Sequence, residues 1–317
     1  MTDVPNIVLL SVDALRADHL GAHGYHRDTS PFLDDLADDA IIFETAISAS
    51  SHTREALPAL LSGRYPDVFA ANGYRYVPES VADRLSAAGF RTAGFHSNPY
   101  VSRAYGFDSG FDTFDDDLVL GRNRLVALAQ RALDKFLLNK GNYHARADEI
   151  NNRSLSWLDS LDGDHPFFLW NHYMDPHGPY NPPEEYSYSE RELSNNDAQA
   201  LYQKAIDRPD DVSEDERQLL IDAYDGEIRY LDDQIRAFFD DLADRGLLEE
   251  SLVVVTADHG DAFGEHGYYT HPRHLHESLL HVPLLVSPPG GDCEETVSKP
   301  VSTLDIVPTI LEYANES

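Results

Sequence analysis

The chain has 317 residues but only one cysteine, Cys293, and four lysines, Lys135, Lys140, Lys204 and Lys299. A single thiol excludes an intramolecular disulfide framework. No apolar run approaches the ~20 residues that a membrane-crossing helix needs. The opening MTDVPNIVLL has no charged n-region and no long apolar stretch of a secretory leader, which points to a cytoplasmic protein without a membrane span. Basic residues are scarce overall: 24 Lys plus Arg stand against 56 acids, a net charge of −32 spread along the chain. Such a surface repels nucleic acid and anionic membranes, so neither is expected as a partner. Internal repeats and low-complexity linkers are also missing. Length alone permits two domains, but one α/β domain over residues 1–317 is the simplest assignment.

What the sequence does contain is chemistry at the ends of apolar runs. Ser251 to Gly267 reads SLVVVTADHGDAFGEHG, a buried-strand pattern that stops at adjacent Asp258 and His259. In open α/β sheets ligands gather beyond the carboxyl ends of strands, and a carboxylate beside an imidazole suits a divalent cation. Asn6 to Asp13, NIVLLSVD, repeats the arrangement, so Asp13 reaches the same cation if the two strands are neighbours. Taken singly, each acid also reads as an ordinary strand-end or capping residue. Oxygen ligands with one imidazole favour Mg²⁺, Ca²⁺ or Mn²⁺, with Zn²⁺ a further possibility.

A third segment, Ser48 to Pro66, reads SASSHTREALPALLSGRYP. Thr53 stands where a helix begins, and a helix start supplies backbone N–H groups and partial positive charge. That environment favours an attacking alkoxide and a bound tetrahedral anion. From this segment alone, a plain N-cap is the better reading of Thr53.

Together these segments resemble the sulfatase family of the alkaline phosphatase superfamily. The resemblance runs through NIVLLSVDALRADHLGAHGY, LSGRYP, GFHSNPYVSRAYGFDSGFDTF, PFFLWNHYMDPHGPYNPP, YDGEIRYLDDQI, VVVTADHGDAFGEHG, HESLLHVPLLVSPPG and STLDIVPTILEYA. It implies an α/β fold with a largely parallel central sheet and helices on both faces. It also implies a cation held by Asp13, Thr53, Asp258 and His259. The family signature Cys/Ser-x-Pro-x-Arg, whose first residue is converted to formylglycine, falls on Thr53, Glu55 and Leu57; threonine cannot follow that route. A shifted alignment on Ser50 keeps an Arg spacing but loses the Pro and the distance to Gly63. The second acid after the first strand is Ala14, and none of the four lysines lies in a matched motif.

Histidines stand in the corresponding neighbourhoods: His177 in Asp175-Pro176-His177-Gly178 and His271 in Thr270-His271-Pro272-Arg273. Imidazoles can protonate a leaving group or ligate a metal near neutral pH, so His177 and His271 are expected as catalytic proton carriers. Asn98 matches the family region that contacts the bound sulfate or phosphate, although Asn before Pro is also an ordinary turn former. Glu265 and His266 belong to the resemblance too, without an assigned role. The expected reaction is metal-dependent hydrolysis of a small-molecule, glycan-linked or lipid-linked sulfate or phosphate ester through a covalent Thr53 ester. Phosphodiester or phosphonate hydrolysis, and transfer to an acceptor alcohol, are variants of the same chemistry. A catalytically weak anion- or glycan-binding relative is the competing class.

The pattern of periodicities places strands near 6–12, 91–95, 166–172, 251–257 and 282–286. Helices are expected near 30–40, 54–62, 79–88, 122–138, 145–160, 213–245 and 303–314. Residues 185–216 are polar and read as an insertion or lid. Family members often continue past the STLDIVPTILEYA match into a small C-terminal subdomain, so this chain is either short or cut.

The preference for Arg over Lys and the acids around Asp207, Asp210, Asp211, Glu214 and Asp215 resemble proteins of salt-loving archaea. Salt at 1 M shortens the Debye length to ~3 Å and relieves self-repulsion, so the melting temperature should rise with KCl. An uncharged osmolyte at equal osmolality strengthens burial without screening. Equal stabilisation by both would remove the case for adaptation to brine.

Overall fold

The computed structural model describes residues 4–71, 73, 79–117, 144–191, 193–291 and 293–316. The helix expected at 122–138 lies outside them. Eight strands form the main sheet: β1 (Asn6–Val12), β2 (Ile41–Phe43), β3 (Arg91–His96), β4 (Thr113–Asp115), β5 (Phe167–Tyr173), β6 (Ser251–Ala257), β7 (Leu284–Ser287) and β8 (Glu295–Val297). Their spatial order is β8-β2-β7-β6-β1-β5-β3-β4. The run from β6 to β4 is parallel, and β7 is antiparallel to both β6 and β2. Strands β1, β5 and β6 sit in the middle and are buried nearly throughout, which is why their sequences are continuous apolar runs instead of alternating ones.

Seven helices are used below: α1 (Pro31–Asp38), α2 (Thr53–Ser62), α3 (Val81–Ala87), α4 (Ala147–Leu158), α5 (Asn195–Asp207), α6 (Glu214–Asp244) and α7 (Ile306–Tyr313). Helices α1 and α4 pack on α6, whereas α2, α3 and α7 pack on one another. Two separate helical groups are what a sheet buried on both faces requires. The long α6 begins at a capping box in which Ser213 and Glu216 satisfy each other's backbone amides.

Two expectations change. The strand expected at 282–286 is broken at Pro283, which has no N–H for a ladder. His281–Val282 joins a small sheet with Ala46–Ile47, and only Leu284–Ser287 enters the main sheet. The polar stretch 185–216 contains the regular helix α5, with Ala198, Leu201, Tyr202 and Ala205 buried at helical spacing.

Register decides where the chemistry goes. Val12 of β1 pairs with Ala257 of β6 and with Tyr173 of β5, so the next residues along the first two strands, Asp13 and Asp258, emerge side by side. His96 of β3 is level with His172 of β5, which brings Asn98 to the same edge. A slip of one residue in either pairing would turn these side chains to opposite faces.

Candidate active site and cation site

Thr53 is the first residue of α2, and the N-cap is His52, not Thr53. The His52 ring Nδ1 accepts from the Arg54 N–H, and the His52 carbonyl accepts from Glu55 and Ala56. The helix start therefore offers a bound anion fewer free amides than the sequence suggests; its dipole remains. Freed from capping, the Thr53 hydroxyl points into the strand ends. Its Oγ1 lies 3.0 Å from His259 Nε2 and 3.4 Å from each oxygen of Asp13. Ser51 turns away from the strand ends and donates to the Pro272 carbonyl.

Asp13, Asp258 and His259 present ligand atoms within 4.8 Å of one another, all buried. Burial opposes ionisation of Asp13, but His177, His172 and His259 hold it far below the usual carboxylate range. Burial and the Asp13 charge push Asp258 up to about 8. One of its oxygens, Oδ1, accepts from the Ala14 and His259 amides, while Oδ2 is buried with no hydrogen-bond partner. His259 gives its Nδ1 proton to the Gly260 carbonyl at 2.8 Å, the tautomer assigned from that contact, so Nε2 carries a lone pair. Two crowded carboxylates, an orphaned oxygen and a free imidazole nitrogen fit a divalent cation.

The backbone is shaped for this. Ala14, where relatives of this pattern carry a second acid, has φ +59°. That conformation costs a non-glycine residue roughly 1–2 kcal/mol, and Tyr224 holds it by donating to the Ala14 carbonyl at 2.7 Å while accepting from Arg16 N–H at 2.9 Å. The reward is an amide aimed at Asp258.

Asn98 is 1% exposed, and its Nδ2 donates to Asp13 Oδ2 at 2.7 Å. Here it orients an acid, and its carbonyl oxygen is taken by Tyr100 N–H. His172 is a site residue that the sequence reading missed. Ser11 bridges Trp170 Nε1 and His172 Nδ1, leaving His172 Nε2 3.6 Å from Asp13 Oδ2. The signal was present: Asn171-His172 are polar residues inside the apolar strand PFFLWNHY.

The two remaining histidines come together over the site. His177 Nε2 and His271 Nε2 are 3.1 Å apart, and His177 Nδ1 is bonded to the Gly178 carbonyl. The His271 ring centroid lies 4.4 Å from His259, 5.0 Å from His177 and 5.3 Å from His52. Burial works against a charge on His177, but Asp13 and Asp261 outweigh it and raise its pKa. Burial and the neighbouring His259 and His177 hold His271 well below the ordinary value. His271 has a buried Nδ1 with no hydrogen-bond partner among the described residues.

The guanidinium that the family pattern places on α2 is replaced by buried Leu57. Glu55 instead binds Arg273, from the His271 loop, at 2.9 and 3.0 Å. Glu265 binds Arg16 at 2.6 Å, so it ties the loop after β6 to the loop after β1. His266 stacks on His276 at 3.7 Å and takes no part in the cluster over Thr53.

Gly178 supports His177 by close approach. A Cβ there would stand 2.1 Å from the Tyr202 ring of α5. Gly178→Ala should cost about 1–3 kcal/mol by overpacking and lower turnover by displacing His177. Thermal unfolding and steady-state rates check this; a variant unchanged in both would contradict the contact.

Residues 5–316 match the family model described as Sulfatase. The arylsulfatase of Clostridium perfringens is 26% identical over 363 aligned positions, covering 99% of this chain and 75% of that protein. Iduronate 2-sulfatase of Homo sapiens is 24% identical and covers 91% of this chain, which spans 60% of the human enzyme. Among solved structures, the phosphonate monoester hydrolase of Agrobacterium radiobacter superposes with a TM-score of 0.74 at 20% identity, covering 98% of this chain and 74% of that one. A structure solved with its substrate D-glucosamine-2-N,6-O-disulfate gives 0.74 at 17% identity, covering 99% and 77%. The fold is that of the alkaline phosphatase superfamily, and the chain belongs to the sulfatase family of ester hydrolases.

Proposed function

We propose that this protein hydrolyses sulfate or phosphate monoesters through a covalent ester on Thr53, with a divalent cation held by Asp13, Asp258 and His259. The observation that carries the reading is the Thr53 hydroxyl, 2% exposed, directed at Asp13 and His259 from a helix start that it does not cap. Bound there, the cation would lower the hydroxyl pKa and polarise the ester oxygens. Asp13 is held by Asn98 and His172 so that Oδ1 faces Thr53 and His259.

Thr53 releases its proton to solvent, and Oγ1 forms a bond to sulfur or phosphorus as the bond to the alcohol oxygen breaks. His177, whose pKa is raised against burial by the neighbouring Asp13 and Asp261, gives a proton to the departing oxygen. Water then attacks the Thr53 ester and returns a proton to His177, and the Thr53 oxygen leaves and takes back from solvent the proton it released in the first step. The net reaction is ester plus water to alcohol plus sulfate or phosphate. His271, neutral and with an unpaired Nδ1, is placed to bond an oxygen of the transferred group.

Relatives named as an arylsulfatase and a phosphonate monoester hydrolase leave sulfate, phosphate and phosphonate open as the transferred group. Threonine in place of a formylglycine precursor favours the phosphate-handling variant, including transfer to an acceptor alcohol. Aryl sulfate, phosphomonoester, phosphodiester and phosphonate substrates, run in molar KCl with Mg²⁺, Ca²⁺, Mn²⁺ or Zn²⁺, test this. Cation-dependent turnover of at least one monoester is expected; turnover of all of them in excess chelator would overturn the assignment.

A further inference from the structure

Beside the site, four parts of the chain enclose a cavity of about 320 Å³: the entry to α4, the loop after β5, the start of α5 and the middle of α6. His177 forms part of its wall, so the cavity borders the point where the alcohol departs. Its size is that of a small-molecule site. At its centre Arg146 is held on three sides. Its Nε lies 3.2 Å from Asp175 Oδ1, its Nη2 lies 2.7 Å from Glu227 Oε2, and its guanidinium carbon stands 4.2 Å from the Tyr230 ring centroid.

Glu227 uses its other oxygen to accept from the Asn181 N–H at 2.8 Å. The buried carboxyl of Asp175 faces the Ala147 amide as well as Arg146, and both favour its ionised form. Among the described residues no hydrogen bond or ion pair engages Arg146 Nη1. The amides of Asn181, Asn195 and Gln199 complete the polar lining, with Asn181 Nδ2 donating to Asn195 Oδ1 at 2.5 Å.

This lining selects by chemistry. The guanidinium shares its charge with two carboxylates, so a second anionic group finds no uncompensated positive charge. No phenyl or indole ring lines the cavity among the described residues, so an aryl group finds only imidazole and guanidinium faces there. Fixed donors and acceptors at several angles match hydroxyl groups, which both give and accept hydrogen bonds. A site built to bond hydroxyls strongly rejects an analogue that leaves its polar groups unpaired.

We propose that this cavity is the subsite for the alcohol part of the ester, that it takes an uncharged, polyhydroxylated alcohol such as a glycosyl unit, and that Arg146 is its specificity-determining residue. The inference rests on the assignment of His177 to the departing oxygen. Glucose 6-sulfate and glucose 6-phosphate, compared with the p-nitrophenyl esters of the same groups, give the readout as a ratio of kcat/KM. Arg146→Lys keeps the charge but loses the planar fork. That variant, and separately Gln199→Ala on the cavity rim, should each lower the glucose-to-aryl ratio by roughly tenfold. An unchanged ratio in both variants overturns the subsite.

If Thr53-intact protein turns over no ester, the proposed reaction fails, and calorimetric titration with glucose 6-phosphate decides the cavity by itself. Binding weakened about tenfold in Arg146→Lys supports it. Equal binding, or none to the wild type, overturns it.

Discussion

Replacing Thr53 by alanine is expected to lower turnover by on the order of 10³-fold or more, ~4 kcal/mol of transition-state stabilisation, while leaving the melting temperature close to wild type. The two effects separate because the cap of α2 is His52, whose side chain and carbonyl hold the first amides. Losing the Thr53 hydroxyl removes a contact to Asp13 and His259 without opening the helix start. Thr53→Ser keeps a hydroxyl at the same place, primary instead of secondary, and should retain much of the activity. Steady-state kinetics and thermal unfolding on the three proteins test this. Turnover within about threefold of wild type in Thr53→Ala would remove covalent catalysis by this residue.

Asp258→Asn should have the second-largest effect. Cation affinity should drop, and turnover should fall by roughly 10³-fold, because the cation is worth several kcal/mol of charge stabilisation. Asp258 Oδ2 is a buried oxygen with no partner, next to an Asp13 that its histidine neighbours keep ionised. An amide there removes one negative charge from the cluster while Oδ1 can still accept from Ala14 and His259 N–H, so the fold is retained. Metal content after dialysis and activity with and without chelator are the measurements. A variant that keeps both stoichiometric metal and wild-type turnover contradicts the ligand set.

The strands that carry these acids were legible because each is a continuous apolar run that stops at a charged residue, the pattern of a doubly covered parallel strand. The pattern paired Asp13 with Asp258 only on the condition that their strands are neighbours, and the register of β1 against β6 meets that condition. Three features were less accessible. His172 lies within a strand, where a polar residue is readable but the partner it faces depends on the neighbouring strand's register. Helix α5 has its buried positions at Ala198, Leu201, Tyr202 and Ala205, but only four apolar contacts in an otherwise polar stretch weakened the periodic signal. The capping role of His52 reversed the expected division of labour: His is a rare N-cap, and Ser or Thr is the usual choice.

The His177–His271 contact spans ninety-four positions and depends on the loops after β5 and β6 meeting. The motifs named both residues but not their pairing, because loop convergence follows from tertiary packing, in this case Gly178 against Tyr202 and Glu265 against Arg16. The same dependence hid the cavity around Arg146, whose three holding groups come from the loop after β5 and from α6.

The most direct test of the account is rapid acid quench during turnover of an active monoester, followed by mass spectrometry of the peptides covering Ser48 to Arg64. The account predicts unmodified Ser50 and Ser51 and a sulfuryl or phosphoryl group on Thr53 that is absent without substrate. An aldehyde at Ser50 or Ser51, or the transferred group on any residue other than Thr53, would contradict it.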